Sequence, residues 1–162
     1  MTRAGGTARD TGGDGSSLRI GVLAARFNDH VTGLLVDGAR RGLARSGVPE
    51  SHVLVEWVPG AFELPVAARA LARSGKVDAV VCLGAVIRGD TPHFDYVCSE
   101  AARGIQDAQM ATGIPVMFGV LTVDNEAQAL ERCGDGTDNK GDEAAIGAVE
   151  MALLLRRLGE PA

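Results

Sequence analysis

Six consecutive residues, Arg88-Gly89-Asp90-Thr91-Pro92-His93, bring together a cation, an unhindered backbone, a hydroxyl, a helix-starting proline and an imidazole. A threonine followed by proline is a good helix start: the hydroxyl can cap free amides, and proline at the first helical position loses no needed donor. Amides at such a terminus, with Gly89 permitting close approach, form a cradle for a phosphate group. His93, in the first turn, carries the side chain best suited to giving and taking protons near neutral pH. The same residues also fit a capped helix with no ligand, and Arg88-Gly89-Asp90 spells an adhesion tripeptide.

Other candidates lie in loops. Phe27 is followed by polar Asn28 outside any apolar periodicity, so its ring could stack on a flat heterocycle or staple the next helix. Glu63, after Ala61 and Phe62, either caps a helix or accepts hydrogen bonds from ligand hydroxyls. The stretch CGDGTDNKGDE (133–143) imitates two motifs and fits neither. It lacks the Gly-Lys-Ser/Thr of a P-loop, and an EF-hand register from Asp135 puts Gly141 at position seven and Ile146 where glutamate is required. Arg132 and Lys140 remain as two cations flanking a glycine-rich loop.

The elements that must position these residues alternate regularly. LRIGVLA (18–24), HVLVEWV (52–58), VDAVVCLGAVI (77–87) and PVMFGVLTV (115–123) are strand-like by length and β-branched content. Helical periodicity covers 29 to about 46, 63–75, 92–112 and a short stretch at 125–133; a Gly/Asp loop (134–142) precedes a long C-terminal helix ending near 158. Strand–helix alternation of this kind predicts an α/β domain, its parallel sheet covered by helices on both faces. In such sheets ligands collect beyond the carboxyl ends of the strands. Those ends are residues 26–28, 59–63, 88–93 and 122–125, which hold most of the candidates. Residues 1–17, polar and rich in Gly and Ser, are expected to form a disordered tail ahead of a single domain, 18–162.

Composition narrows the function further. A net charge of -5 argues against general binding to nucleic acid or anionic membranes, and 4% aromatics is too few for a base-stacking platform. Cys82, Cys98 and Cys133 form no CxxC pair and no finger-like cluster with histidine, so no metal site is expected. With no apolar leader and no run of spanning length, a cytoplasmic location is expected. That weakens the adhesion reading.

Five segments in order, GVLAARFN (21–28), WVPGAFELP (57–65), LGAVIRGDTPHFDYV (83–97), PVMFGVLTVDNEAQALERCG (115–134) and NKGDEAA (139–145), resemble the 6,7-dimethyl-8-ribityllumazine synthase family. The resemblance runs from about residue 18 to residue 158. It implies a flavodoxin-like three-layer sandwich with a four-stranded parallel sheet. It also implies a riboflavin-pathway transferase that condenses 5-amino-6-ribitylamino-uracil with 3,4-dihydroxy-2-butanone 4-phosphate, with no metal and no organic cofactor. By the same resemblance Phe27 stacks on the pyrimidine, and Asn28, Ala61, Phe62 and Glu63 line the pocket. Asp90 and Thr91 bind the phosphate through backbone amides, Arg132 supplies its counter-charge and His93 moves protons. Phe118 and Lys140 complete the pocket, with Phe118 and Arg132 on the neighbouring subunit.

Two positions depart from many relatives: Asp90 stands where Gly or Ala is common, and Gly136 where a lysine occurs. The first requires the Asp90 carboxylate to point away from phosphate. Family members assemble as pentamers, paired pentamers or icosahedral shells. The tight step from Arg132 to Lys140 is similar to that of shell formers, so a 60-mer is expected, with a free pentamer as the alternative. A non-catalytic shell protein of this fold would be expected to lack Phe27, His93 or Arg132. The archaeal type of riboflavin synthase, related in fold, fits GAFELP and RGDTPHFDY less well.

Overall fold

The structure is a computed structural model and describes residues 11–136 and 138–159. Four strands, β1 (Ile20–Ala25), β2 (Val53–Val58), β3 (Ala79–Ile87) and β4 (Val116–Val123), form one all-parallel sheet in the order β2-β1-β3-β4. The helices are α1 (Asp29–Arg45), α2 (Leu64–Arg73), α3 (His93–Thr112), α4 (Glu126–Glu131) and α5 (Lys140–Gly159). This is the flavodoxin-like three-layer sandwich.

Alternation along the strands sends side chains into two cores. Ile20, Val22, Ala24, Val81, Leu83 and Leu121 pack beneath α1 and α5. Leu23, Ala25, Val80, Cys82, Val116 and Val120 pack beneath α2 and α3. The chain steps from β1 outward to β2 with α1 on one face, then back across β1 to β3 with α2 on the other. Between β1 and β3 the direction of winding reverses, and the connections diverge to opposite faces. That switch point is where an open α/β sheet offers a crevice.

On the first face α1 and α5 approach closely because small residues line their seam. A Cβ on Gly141 would lie 2.0 Å from the Leu35 carbonyl oxygen, and one on Gly42 2.9 Å from that of Asp142. Arg45 closes the seam with a two-pronged ion pair to the buried Asp142, both N···O distances 2.7 Å.

Two expectations are corrected. Residues 11–17, expected in a disordered tail, pack along this seam. The Gly12 amide donates to Ser46 Oγ (3.2 Å) and that of Gly15 to the Ser46 carbonyl (2.7 Å). A Cβ on Gly12 would lie 2.4 Å from the Ile146 carbonyl oxygen. The segment has little to bury, but its glycines let backbone reach backbone, a form of packing that hydrophobicity does not register. Residues 1–10 of the expected tail lie outside the described residues. The second correction concerns the 134–142 loop: α5 already begins at Lys140. Asn139 explains the early start, since its Oδ1 accepts from the Gly141 amide (2.8 Å) and the Asp142 amide (3.2 Å).

Candidate active site

Past Ala25 the first strand leans toward β2: the Arg26 amide donates to the Val58 carbonyl (2.8 Å) and that of Phe27 to the Pro59 carbonyl (3.1 Å). Pairing of β1 with β3 stops at Ala24 and Leu83, whereas β3 continues beside β4 as far as Ile87 and Val123. A cleft therefore opens between the ends of β1 and β3. Asn28 spans it. Its backbone is left-handed (φ 63°, ψ 45°), a conformation asparagine tolerates better than most residues, and its Nδ2 donates to the Ala85 carbonyl at 2.8 Å. The amide is thus spent on holding the cleft.

Phe27, after β1, stands 72% exposed beside this cleft, and Phe62, after β2 on the same side, is 59% exposed. Two rings left open at strand ends are surfaces for a flat apolar ligand. Phe62 belongs to a single 3-10 turn, Ala61–Glu63, in which Ala61 is buried under α2 and α3 and so turns Phe62 outward. Glu63 occupies the cap position of α2 without a capping hydrogen bond from its side chain. Its carboxylate is half-buried and folds back over Gly60.

On the far side of the cleft, Asp90, Thr91 and His93 are exposed ahead of and within the first turn of α3. Thr91 does not cap the helix as its position suggests. Pro92 holds the cap position, no side chain caps it, and the Asp95 amide bonds to the Pro92 carbonyl at 3.0 Å. The amide end of a 20-residue helix is therefore left facing the cleft, with open space around Gly89.

Arg88, given no role of its own by the sequence, makes three contacts. Its Nε lies 2.9 Å from Asp124 Oδ1, its Nη1 3.6 Å from Asp95 Oδ1, and its guanidinium sits 4.3 Å above the Phe94 ring. The bond to Asp124 holds the guanidinium even more firmly charged than usual. The only signal available was a cation at a strand end with acids downstream, which is too common to read.

Phe118, Arg132 and Lys140 are not brought to this cleft. Phe118 lies opposite Cys82, five positions before the end of β4, and is therefore about 17 Å back along the strand. It is 44% exposed on the outermost strand. Arg132 follows α4, with its Nη1 donating to the Gln128 carbonyl (2.9 Å), and the Lys140 amide donates to the Arg132 carbonyl (2.8 Å). Lys140 Nζ is 2.9 Å from Glu143. Their loop is fixed to the middle of α1 through Asn139, 1% exposed, whose Nδ2 donates to the carbonyls of Leu34 and Gly134, both at 3.0 Å. From β4 to β1 is two strand spacings, about 10 Å.

The remaining chemistry is muted. Burial pushes the Cys82 thiol up to about 12 and raises those of Cys98 and Cys133, so none is a ready nucleophile. Among the described residues no group of three or more His, Cys, Asp and Glu could hold a metal ion, and no helix is long and apolar enough to cross a membrane. A groove of about 410 Å³ between α2 and α3 and another of about 240 Å³ by Arg19, His52 and Lys76 are not lined by the cleft residues.

Fold and cleft define a flavodoxin-like α/β protein whose strand ends open at the switch point of the sheet. Comparison with known families places it further: residues 17–156 match the family described as 6,7-dimethyl-8-ribityllumazine synthase, and the chain belongs to that family, one of riboflavin-biosynthetic transferases.

Proposed function

We propose that this protein condenses 5-amino-6-ribitylamino-uracil with 3,4-dihydroxy-2-butanone 4-phosphate to 6,7-dimethyl-8-ribityllumazine. The observation that carries the reading is the cleft between β1 and β3, with exposed Phe27 and Phe62 on one side and the uncapped end of α3 on the other. Family membership supports it.

Phe27 stacks on the pyrimidine, Asn28, Ala61 and Phe62 shape the pocket, and Glu63 takes the ribityl hydroxyls. The amides around Asp90 and Thr91 receive the phosphate, with the Asp90 carboxylate turned to solvent. The pyrimidine amine attacks the butanone carbonyl and loses water to give an imine. Elimination then expels phosphate, and ring closure releases a second water. His93 gives and takes the protons of these steps. Holding the reactants together provides much of the rate, and no metal or organic cofactor takes part.

Phe118, Arg132 and Lys140 act from a second copy, with Arg132 as the main counter-charge to phosphate. Pentamers provide that arrangement, and their closure into a 60-mer shell is the assembly we propose. The reading is supported by the distance of Phe118 from the cleft in its own chain. Light scattering tests the shell, and a single species of pentamer mass across pH and buffer would rule it out.

Incubating the protein with both substrates, while following lumazine absorbance, fluorescence and released phosphate, tests the activity. Lumazine and phosphate are expected in equal amounts, at a rate unchanged by chelator. No product under conditions where a family member turns over would refute the function.

A further inference from the structure

Arg88 sits where three elements meet. It ends β3, reaches forward over Phe94 and Asp95 in the first turn of α3, and reaches sideways to Asp124 at the end of β4. Phe94 is only 8% exposed, so the ring beneath the guanidinium is fixed by packing. A planar guanidinium stacked on a fixed ring has one orientation, and its edge donors then select where the carboxylates stand. The short chain enclosed by these contacts is Gly89, Asp90, Thr91, Pro92 and His93. A Cβ added at Gly89 would meet nothing within 4 Å, and no side chain caps the helix start. Arg88 thus joins the start of this segment both to the helix that follows it and to the end of the neighbouring strand.

A second tie strengthens the anchor. Two residues after Asp124, Glu126 Oε1 meets His30 Nε2 of α1 at 2.5 Å, while Asn125 Oδ1 caps α4 by accepting from the Gln128 amide at 2.9 Å. The Asp124 amide also donates to Gln128 Oε1 at 2.7 Å. The backbone of the loop after β4 is therefore held independently of Arg88, so Asp124 hangs from a fixed point.

We propose that Arg88 is a positioning residue, clasping the phosphate-cradle segment to the β4 loop through Asp124 and Phe94 rather than touching substrate itself. The proposal rests on the function proposed above and adds to it a residue that acts through the amides of 89–91 and through the placement of His93. Exposed ion pairs of this kind add little to global stability, so the effect is expected in the geometry of the segment and not in melting temperature.

The test compares Arg88→Met, Asp124→Asn and the double variant in the full assembled protein. Arg88→Met, which loses the contacts to Asp124, Asp95 and Phe94 together, is expected to raise KM for the butanone phosphate about tenfold and Asp124→Asn by less, with KM for the pyrimidine within about twofold in both. The double variant is expected to be no worse than Arg88→Met, because Asp124 acts through Arg88. Arg88→Lys, which keeps the charge but loses the planar fork, is expected to fall between wild type and Arg88→Met, and it carries the test with Asp124→Asn if the methionine variant fails to fold.

Asp124→Asn separates the clasp from a direct role. If Arg88 held phosphate itself, freeing it from Asp124 would leave binding unchanged or improve it; that outcome, or additive losses, overturns the proposal. Amide hydrogen exchange supplies a readout that does not need turnover. Residues 89–91 and 93 are expected to exchange about tenfold faster in either single variant, and unchanged exchange overturns the clasp. Should the wild-type protein form no lumazine, the exchange result alone decides the clasp, while the function proposed above falls separately.

Discussion

The cleft and the β4 flank are built in opposite ways. At the cleft, Phe27, Phe62, Asp90, Thr91 and His93 are exposed, carried by loops, a single turn or the first residue of α3. At the flank, Arg132 and Lys140 stand beside a loop held by Asn139, which is fully enclosed and whose side chain makes four hydrogen bonds. The cleft has the surfaces a ligand needs but stands open. The flank has cations and, on β4, the exposed ring of Phe118. In the function proposed above, a second copy brings the two regions together.

The comparison can be broken most severely at the α1–α5 seam, which holds the flank loop in place. Gly141→Ala would ordinarily help a helix by about 1 kcal/mol. Here the added Cβ would meet the Leu35 carbonyl at 2.0 Å, so the helices must part. We expect a loss of more than about 3 kcal/mol in urea unfolding, or failure to fold.

Next in size is Arg132→Ala. Loss of a charge-assisted contact to phosphate should lower kcat/KM for the butanone phosphate about 100-fold with folding intact. Steady-state kinetics at varied phosphate substrate would check this. Phe27→Ala should act on the other reactant, raising KM for the pyrimidine about tenfold in the same assay. If both substitutions weakened the same substrate, the division of labour between the regions would be wrong.

The smallest effect concerns β3, the strand between the two regions, where Cys82 faces Phe118 in register. Burial raises this thiol from its ordinary 9.0 to about 12. The folded chain therefore keeps the proton that the unfolded chain releases. The associated stability is complete below pH 9 and is lost as pH climbs toward 12, at up to about 1.4 kcal/mol per pH unit. Urea midpoints at pH 8 and pH 10 should converge in Cys82→Ala relative to wild type.

Much of this was legible in the sequence for a physical reason. Apolar runs such as 77–87 have to be covered on both faces, and the loops after them have to lie on one edge, so the cleft could be located before any coordinate was known. What stayed hidden depends on exact approach. The packing of residues 11–17 needs glycine backbone against α5, which no hydrophobic pattern records. The start of α5 at Lys140 depends on Asn139 finding Leu34, 105 positions away in sequence. Thr91 looked like a cap because Thr-Pro often is one; the structure gives that position to Pro92 and leaves the helix end free. Arg88 was invisible as a clasp because its partner Asp124 is 36 residues distant.

The central claim is that cleft and flank form one site only between two copies, and subunit mixing tests it most directly. Phe27→Ala/His93→Ala spoils the cleft alone and Arg132→Ala the flank alone. In randomly mixed assemblies about a quarter of the cleft–flank pairs are then intact. The account predicts that co-assembly of the two nearly inactive proteins restores about a quarter of wild-type activity. Activity no higher than the average of the two parents, in assemblies shown to be mixed, would contradict it.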